Sequence, residues 1–131
     1  MLSGDWSSDV CSSDLCLDAM HGGEIFVPKI PSAKLMDLVN VMAPDCKKTI
    51  TGIRAGEKLH ECLLSEDEAR HTVELPNMYV IEPEDGSWGY EHWKGPRPKE
   101  NWRYNSDTNT EWITQQQLHS LLQSFEPTAA H

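Results

Sequence analysis

The sequence predicts an α/β fold built from short strands, and three observations lead to that class. Ile25, Phe26 and Val27, and later Met78, Tyr79, Val80 and Ile81, are short β-prone apolar runs bounded by turn residues. Leu35, Leu38, Val39 and Met42 recur at helical spacing, as do Leu118, Leu121, Leu122 and Phe125. Strands and helices therefore alternate along a chain of 131 residues, 38% hydrophobic and 24% charged, enough for one domain with a modest core.

Composition removes several function classes. The formal net charge of −10 argues against a nucleic-acid surface, which needs a basic footprint to displace counterions. It leaves room for a small anion, because a few local donors can hold a diphosphate. The acidic clusters at 66–68 and 82–85 read as solvated surface. No apolar run is long enough to span a bilayer, and the N-terminus lacks the basic and apolar regions of a signal peptide, so a cytoplasmic protein with no membrane partner is expected. Cys11, Cys16, Cys46 and Cys62 include no CxxC pair, and the six histidines form no HxxxH or HExxH. Neither a zinc site nor disulfides are expected.

Residues 1–15 stand apart. DWSSDVCSSDL, from Asp5 to Leu15, is polar and low in complexity, and it back-translates as a common short-read sequencing adapter. These residues are expected to be an adapter-derived artefact, disordered and outside the fold. Cys16 to Met20 then read as the end of a longer element whose beginning is missing.

Gly22 and Gly23 permit positive φ ahead of the first strand, which Pro28 and Pro31 end. A continuous apolar run suits a buried strand of the kind found in parallel sheets. Ser32 fits as the N-cap of the helix carrying Leu35 to Met42, and Pro44 stops it. Thr49 to Thr51 read as a strand. Gly52 to Gly56 make a tight connection, and Lys58 to Leu64 read as a helix with Leu59, Cys62 and Leu63 inward. Ser65 with Glu68, and Thr114 with Gln117, have capping-box spacing. Residues 83–103, with Trp88, Trp93 and Trp102, read as irregular structure pinned to the core by the indoles. Along the chain this gives 16–82 as an α/β portion, 83–103 as an irregular segment and 104–131 as a terminal turn and helix.

The stretch that carries chemistry is Gly52-Ile53-Arg54-Ala55-Gly56-Glu57-Lys58-Leu59-His60-Glu61. An arginine forks onto phosphate oxygens, a nearby carboxylate can accept ribose hydroxyls, and a helix opening at Glu57 would add partial positive charge. Spacing alone favours an exposed Arg/Glu pair of little energetic consequence.

HGGEIFVPKIPSAKLMDL followed by GIRAGEKLHE, and then YNSDTNTEW from Tyr104, resembles the C-terminal region of the inverting UDP-N-acetylglucosamine 4,6-dehydratases of the extended short-chain dehydrogenase/reductase family. The resemblance implies the C-terminal substrate-binding portion of an extended Rossmann-type enzyme, with the Rossmann nucleotide-binding half missing. It implies a lyase that dehydrates UDP-N-acetylglucosamine and inverts C5, giving a 4-keto-6-deoxy sugar for bacterial polysaccharide or flagellin glycans. NADP is the cofactor implied for the full-length enzyme, which is expected to be a homo-oligomer. Arg54 and Glu57 are the substrate-binding residues it implies, Arg54 on the diphosphate and Glu57 on the uridine ribose. Ala55 departs from the family's usual proline, which puts the stiffness of the loop in doubt. No GxxGxxG turn and no Tyr-x-x-x-Lys pair are expected here, so the chain alone is expected neither to hold NADP nor to turn over. Its catalytic residues would lie in the missing part, and no metal ligand is assigned.

Two other readings remain open. A sister branch, the UDP-N-acetylglucosamine epimerase/dehydratases, shares the Arg-x-Gly-Glu-Lys-Leu element. Lys29-Ile30-Pro31-Ser32 reads closer to the inverting dehydratases. A non-enzymatic module binding a nucleotide-sugar or a protein is the alternative from another class, supported by the Trp-bearing acidic segment 82–103.

Overall fold

The computed structural model describes residues 12–84 and 91–125, with side chains from 15–84 and 91–124. In chain order the elements are α1 (Ser12–Ala19), β1 (Ile25–Pro28), α2 (Leu35–Met42), β2 (Cys62–Leu64), α3 (Glu66–Ala69), β3 (Thr72–Glu74), β4 (Met78–Ile81), β5 (Tyr104–Asn105) and α4 (Gln115–Phe125). They form two compact units, each made of two stretches of chain. One takes the chain up to Lys29 together with Leu64–Arg103, and the other takes Ile30–Leu63 with the chain from Tyr104 onward.

The first unit is built on a three-stranded sheet in the order β1-β4-β3. β3 and β4 form a hairpin closed by Leu75, whose amide donates to the Met78 carbonyl at 2.8 Å across Pro76-Asn77. β1 lies on the other side of β4, antiparallel, with Phe26 opposite Val80 and Val27 opposite Tyr79. The parallel arrangement expected for β1 is thus corrected. Its apolar run is only partly buried: Val27 is in the core, Phe26 on the opposite face is half-buried, and Ile25 is exposed. Leu64, Val73 and Val80 are fully buried, with Ala69 and Tyr79 beside them. β3 was not foreseen, because Thr-Val-Glu is short and lacks an apolar run. Thr72 is nonetheless fully buried, its hydroxyl satisfied by the Glu68 carbonyl at 2.7 Å.

The Ser65 capping box forms: Glu68 Oε2 accepts from the Ser65 amide at 2.8 Å, and the Ser65 hydroxyl caps Glu68. Residues 91–103 are irregular, as expected. Trp93 meets Phe26 edge-on at 5.8 Å and stacks on His21 at 4.7 Å, and Trp102 packs on Tyr79 at 4.9 Å. Two of the three indoles therefore pin this segment, and Trp88 lies outside the described residues. α1 begins at Ser12, so the last four residues of the stretch set aside as artefact are helical; residues 1–11 lie outside the described residues.

Glu82 corrects the reading of 82–85 as solvated. Only 4% of its side chain is exposed. It accepts from Arg97 Nη2 at 2.6 Å and the Trp93 amide at 2.8 Å, with His92 Nδ1 at 3.2 Å. Burial pushes this carboxyl up, but these donors outweigh it and hold the group below its ordinary value.

The second unit holds α2, α4 and the two-stranded sheet of β2 with β5. α2 packs on α4, tied by Gln115 Nε2 to Asp37 at 2.8 Å. α2 ends ahead of Pro44 as expected, but its apolar face is not buried: Leu35 is 73% exposed and Met42 66%. On α4, Leu118 is buried and Leu121 exposed, while the Phe125 side chain lies outside the described residues. Thr114 and Gln117 form the second capping box, with the Thr114 amide 2.8 Å from Gln117 Oε1.

Three local expectations are corrected here. Lys34, not Ser32, is the N-cap of α2. Ser32 instead bridges to Trp112 in parallel, its amide donating to the Glu111 carbonyl at 2.8 Å and its carbonyl accepting from Ile113 at 2.9 Å. Its hydroxyl donates to the Ser106 carbonyl at 2.8 Å, so the residue is taken up by the tail and is not free to cap. Thr49–Thr51 form no strand, and Lys58–Leu64 form no helix; residues 57–61 are irregular and the chain extends into β2. Cys62 is accordingly exposed on a strand and not turned into a core. Tertiary pairing wins over the apolar spacing of Leu59, Cys62 and Leu63, because β2 finds a partner in β5.

Candidate functional site

Arg54 sits in a loop of the second unit, between two glycines whose backbones need the left-handed region: Gly52 at φ +84° and Gly56 at φ +88°. A side chain at either would meet open space. The requirement for glycine is therefore conformational and not steric.

Gly56 turns the chain so that Arg54 and Glu57 face each other. The Arg54 amide donates to Glu57 Oε2 at 2.9 Å, and the Glu57 amide donates to the Arg54 carbonyl at 3.1 Å. The side chains themselves are only loosely paired, with Arg54 Nε 4.0 Å from Glu57 Oε1. The Arg54 side chain is 81% exposed. Its guanidinium is thus presented outward on a turn closed by a backbone hydrogen bond and an amide-to-carboxylate one, and it can bind an anion bidentately. The helix expected to open at Glu57 is absent, so no helix dipole assists the site.

The tail motif, not foreseen as part of any site, organises the same unit. The Tyr104 hydroxyl accepts from the Ile30 amide at 3.0 Å and donates to the Ile30 carbonyl at 2.9 Å. Asn109 Nδ2 donates to the Ile30 carbonyl at 2.7 Å and to the Ser32 hydroxyl at 3.1 Å. Ser106 and Glu61 exchange hydrogen bonds: the Glu61 amide to Ser106 Oγ at 3.0 Å and the Ser106 amide to the Glu61 carbonyl at 2.9 Å. Ser32, Glu61, Tyr104, Ser106 and Asn109 border a cleft of about 210 Å³. Asn105 Oδ1 is buried at its wall without a partner. Only the recurrence of small polar residues in YNSDTNTEW hints at this, and side-chain-to-backbone pairing over more than seventy residues has no local signature.

The residues described do not fit a dinucleotide. The positive-φ glycines 22 and 23 lead into β1, and 52 and 56 lie in the loop before β2. No strand–glycine turn–helix unit is formed among the described residues. The expected absence of a Tyr-x-x-x-Lys pair needs correction at the level of sequence, since Tyr90 and Lys94 stand at that spacing. Residues 91–94 are not helical, and Tyr90 lies outside the described residues. Tyr79 lies under Trp102, and Tyr104 is spent on Ile30. Among the described residues no cluster of His, Cys, Asp or Glu could hold a metal, and no helix is long and apolar enough to cross a membrane.

A family described as polysaccharide biosynthesis protein matches residues 13–83. An inverting UDP-N-acetylglucosamine 4,6-dehydratase from Campylobacter jejuni subsp. jejuni serotype O:2 is 41% identical over 117 residues, 83% of this chain and 35% of that protein. A serotype O:23/36 counterpart is 40% identical over the same span. An uncharacterised membrane protein of Methanocaldococcus jannaschii is 41% identical over 73 residues, 47% of this chain and 22% of its own length. Among solved structures, the X-ray structure of Pen from Bacillus thuringiensis superposes with a TM-score of 0.64 at 29% identity, over 84% of this chain and 33% of that one. The chain thus spans about a third of the length of the two dehydratases it matches.

Proposed function

The chain belongs to the polysaccharide biosynthesis protein family, and on that premise we propose that it is the UDP-sugar-holding part of an enzyme that removes water from UDP-N-acetylglucosamine. The product is a UDP-4-keto-6-deoxy sugar, inverted at C5, destined for a bacterial glycan. Arg54 takes the diphosphate and Glu57 belongs to the same binding element. The residues that break and form bonds lie outside this chain, as does the seat of NADP, and the enzyme works as a homo-oligomer.

One observation carries this reading: a guanidinium that is 81% exposed, on a turn fixed by two positive-φ glycines, one backbone hydrogen bond and one from the Arg54 amide to the Glu57 carboxylate. Arginine on a flexible tail would lose more conformational freedom on binding, whereas a preformed turn has already lost its share. The dehydratases of Campylobacter jejuni support the choice of ligand. Titrating UDP-N-acetylglucosamine into the protein and its Arg54→Ala variant tests it. The substitution should weaken binding by about 1.5–3 kcal/mol, the range for a hydrogen bond to a charged group. Equal affinities would return Arg54 to the role of a surface residue.

A further inference from the structure

We infer that Glu57 is a positioning residue, holding the backbone of Arg54 in the shape that presents its guanidinium to a diphosphate, and is not a ligand for the ribose. This rests on the reading of Arg54 as the diphosphate-binding residue.

A carboxylate that grips both hydroxyls of a ribose has to turn its oxygens toward the sugar. Here Oε2 of Glu57 accepts from the Arg54 amide at 2.9 Å, and Oε1 lies 4.0 Å from Arg54 Nε. The carboxylate thus faces its own turn. The return hydrogen bond, from the Glu57 amide to the Arg54 carbonyl at 3.1 Å, closes a ring of four residues around Gly56. Only the carboxylate arm of a capping box is present, with no helix behind it: the Glu57 amide goes to a backbone carbonyl, and the chain from 57 to 61 is irregular. No helix dipole is there to favour an acid at this position. A negative charge so near an anion site repels the ligand, so its local hydrogen bond has to return more than that repulsion removes. Ala55 increases the need for such a closure, since alanine leaves φ free where proline would fix it. The backbone hydrogen bond closes the turn, and the carboxylate adds a second tie that holds the Arg54 amide.

Removing the carboxylate as a charge and removing it as an acceptor have opposite effects, which makes the inference testable. Glutamine keeps an oxygen that accepts from the Arg54 amide and loses the charge. Alanine loses both. The 131-residue chain is labelled with ¹⁵N and titrated with UDP and, separately, with inorganic pyrophosphate, which has no ribose. Glu57→Ala should weaken both ligands by a similar factor, about five- to tenfold, less than the full worth of one charge-assisted hydrogen bond because the repelling charge is removed with it. Glu57→Gln should bind both at least as tightly as the unaltered chain. The Arg54 amide resonance should shift in Glu57→Ala and return toward its original position in Glu57→Gln, while Val80, in the sheet of the other unit, stays fixed. Loss of UDP affinity with pyrophosphate unchanged in Glu57→Ala would assign Glu57 to the ribose and overturn the inference. Tighter binding of both ligands by both variants would make Glu57 a mere repelling charge and overturn it as well. If the unaltered chain binds neither ligand, or Arg54→Ala binds both as well as it does, the assignment of Arg54 itself has failed and the inference falls with it.

Discussion

The Arg97 guanidinium donates to the buried carboxylate of Glu82 at 2.6 Å, and in doing so fastens the irregular segment after residue 91 to the end of β4. The Trp93 amide and His92 converge on the same carboxylate. Glu82→Ala should therefore release this segment and destabilise the chain by about 2–3 kcal/mol, the scale for losing hydrogen bonds to a charged group. Urea denaturation measures the loss, and faster hydrogen exchange at Trp93 locates it.

Acid should do the same. The carboxyls of Glu24, Glu68 and Glu82 are all held below their ordinary value of 4.5. In Glu24 and Glu82 burial pushes upward and hydrogen-bond donors outweigh it, while in Glu68 the Ser65 hydroxyl and amide lower it. A group depressed in the folded state binds its proton more readily when unfolded. Its stabilisation is complete above the unfolded value and is lost as pH falls from there through the folded value. Stability measured against pH should decline on the acid side of 4.5, and the decline should be shallower in Glu82→Gln.

Gly95 is fixed by contact. A Cβ there would stand 2.8 Å from Val73 Cγ1 and 2.9 Å from the Glu74 carbonyl oxygen. Gly95→Ala should push the segment off β3 at a cost of about 1–3 kcal/mol, typical of overpacking. A lowered melting temperature, with weakened exchange protection of the Glu74 amide that now bonds the Pro96 carbonyl at 2.8 Å, would report it.

Tyr104→Phe keeps the ring and removes the hydroxyl that serves both polar groups of Ile30. Asn109 still reaches the Ile30 carbonyl, so the orphan is the Ile30 amide. A loss of about 1–2 kcal/mol in chemical denaturation is expected.

Much of the fold was legible in the sequence where its signals are local. The runs at Ile25 and Met78 and the pair Ser65/Glu68 in the first unit, and Thr114/Gln117 in the second, each specify structure within a few residues. Where the reading failed, a distant partner decided. Ser32 is drawn from its cap by Glu111 and Ile113, Cys62 leaves a helical spacing to pair in a sheet, and Glu82 is buried because Arg97 and Trp93 come to it. For the candidate site, the residue types and the tight connection from Gly52 to Gly56 were visible, and both glycines take positive φ. The capture of the Glu57 carboxylate by the Arg54 amide was not, since side-chain direction in an exposed turn leaves no trace in spacing.

The measurement that bears most directly on the central claim is the affinity of this chain for UDP-N-acetylglucosamine, by ligand-detected NMR, with and without Arg54→Ala. Binding that carries over to UDP, and that falls by about ten- to a hundredfold in the variant, is the result expected of a diphosphate held by Arg54. No binding to the unaltered chain, or binding that the substitution leaves untouched, would contradict it.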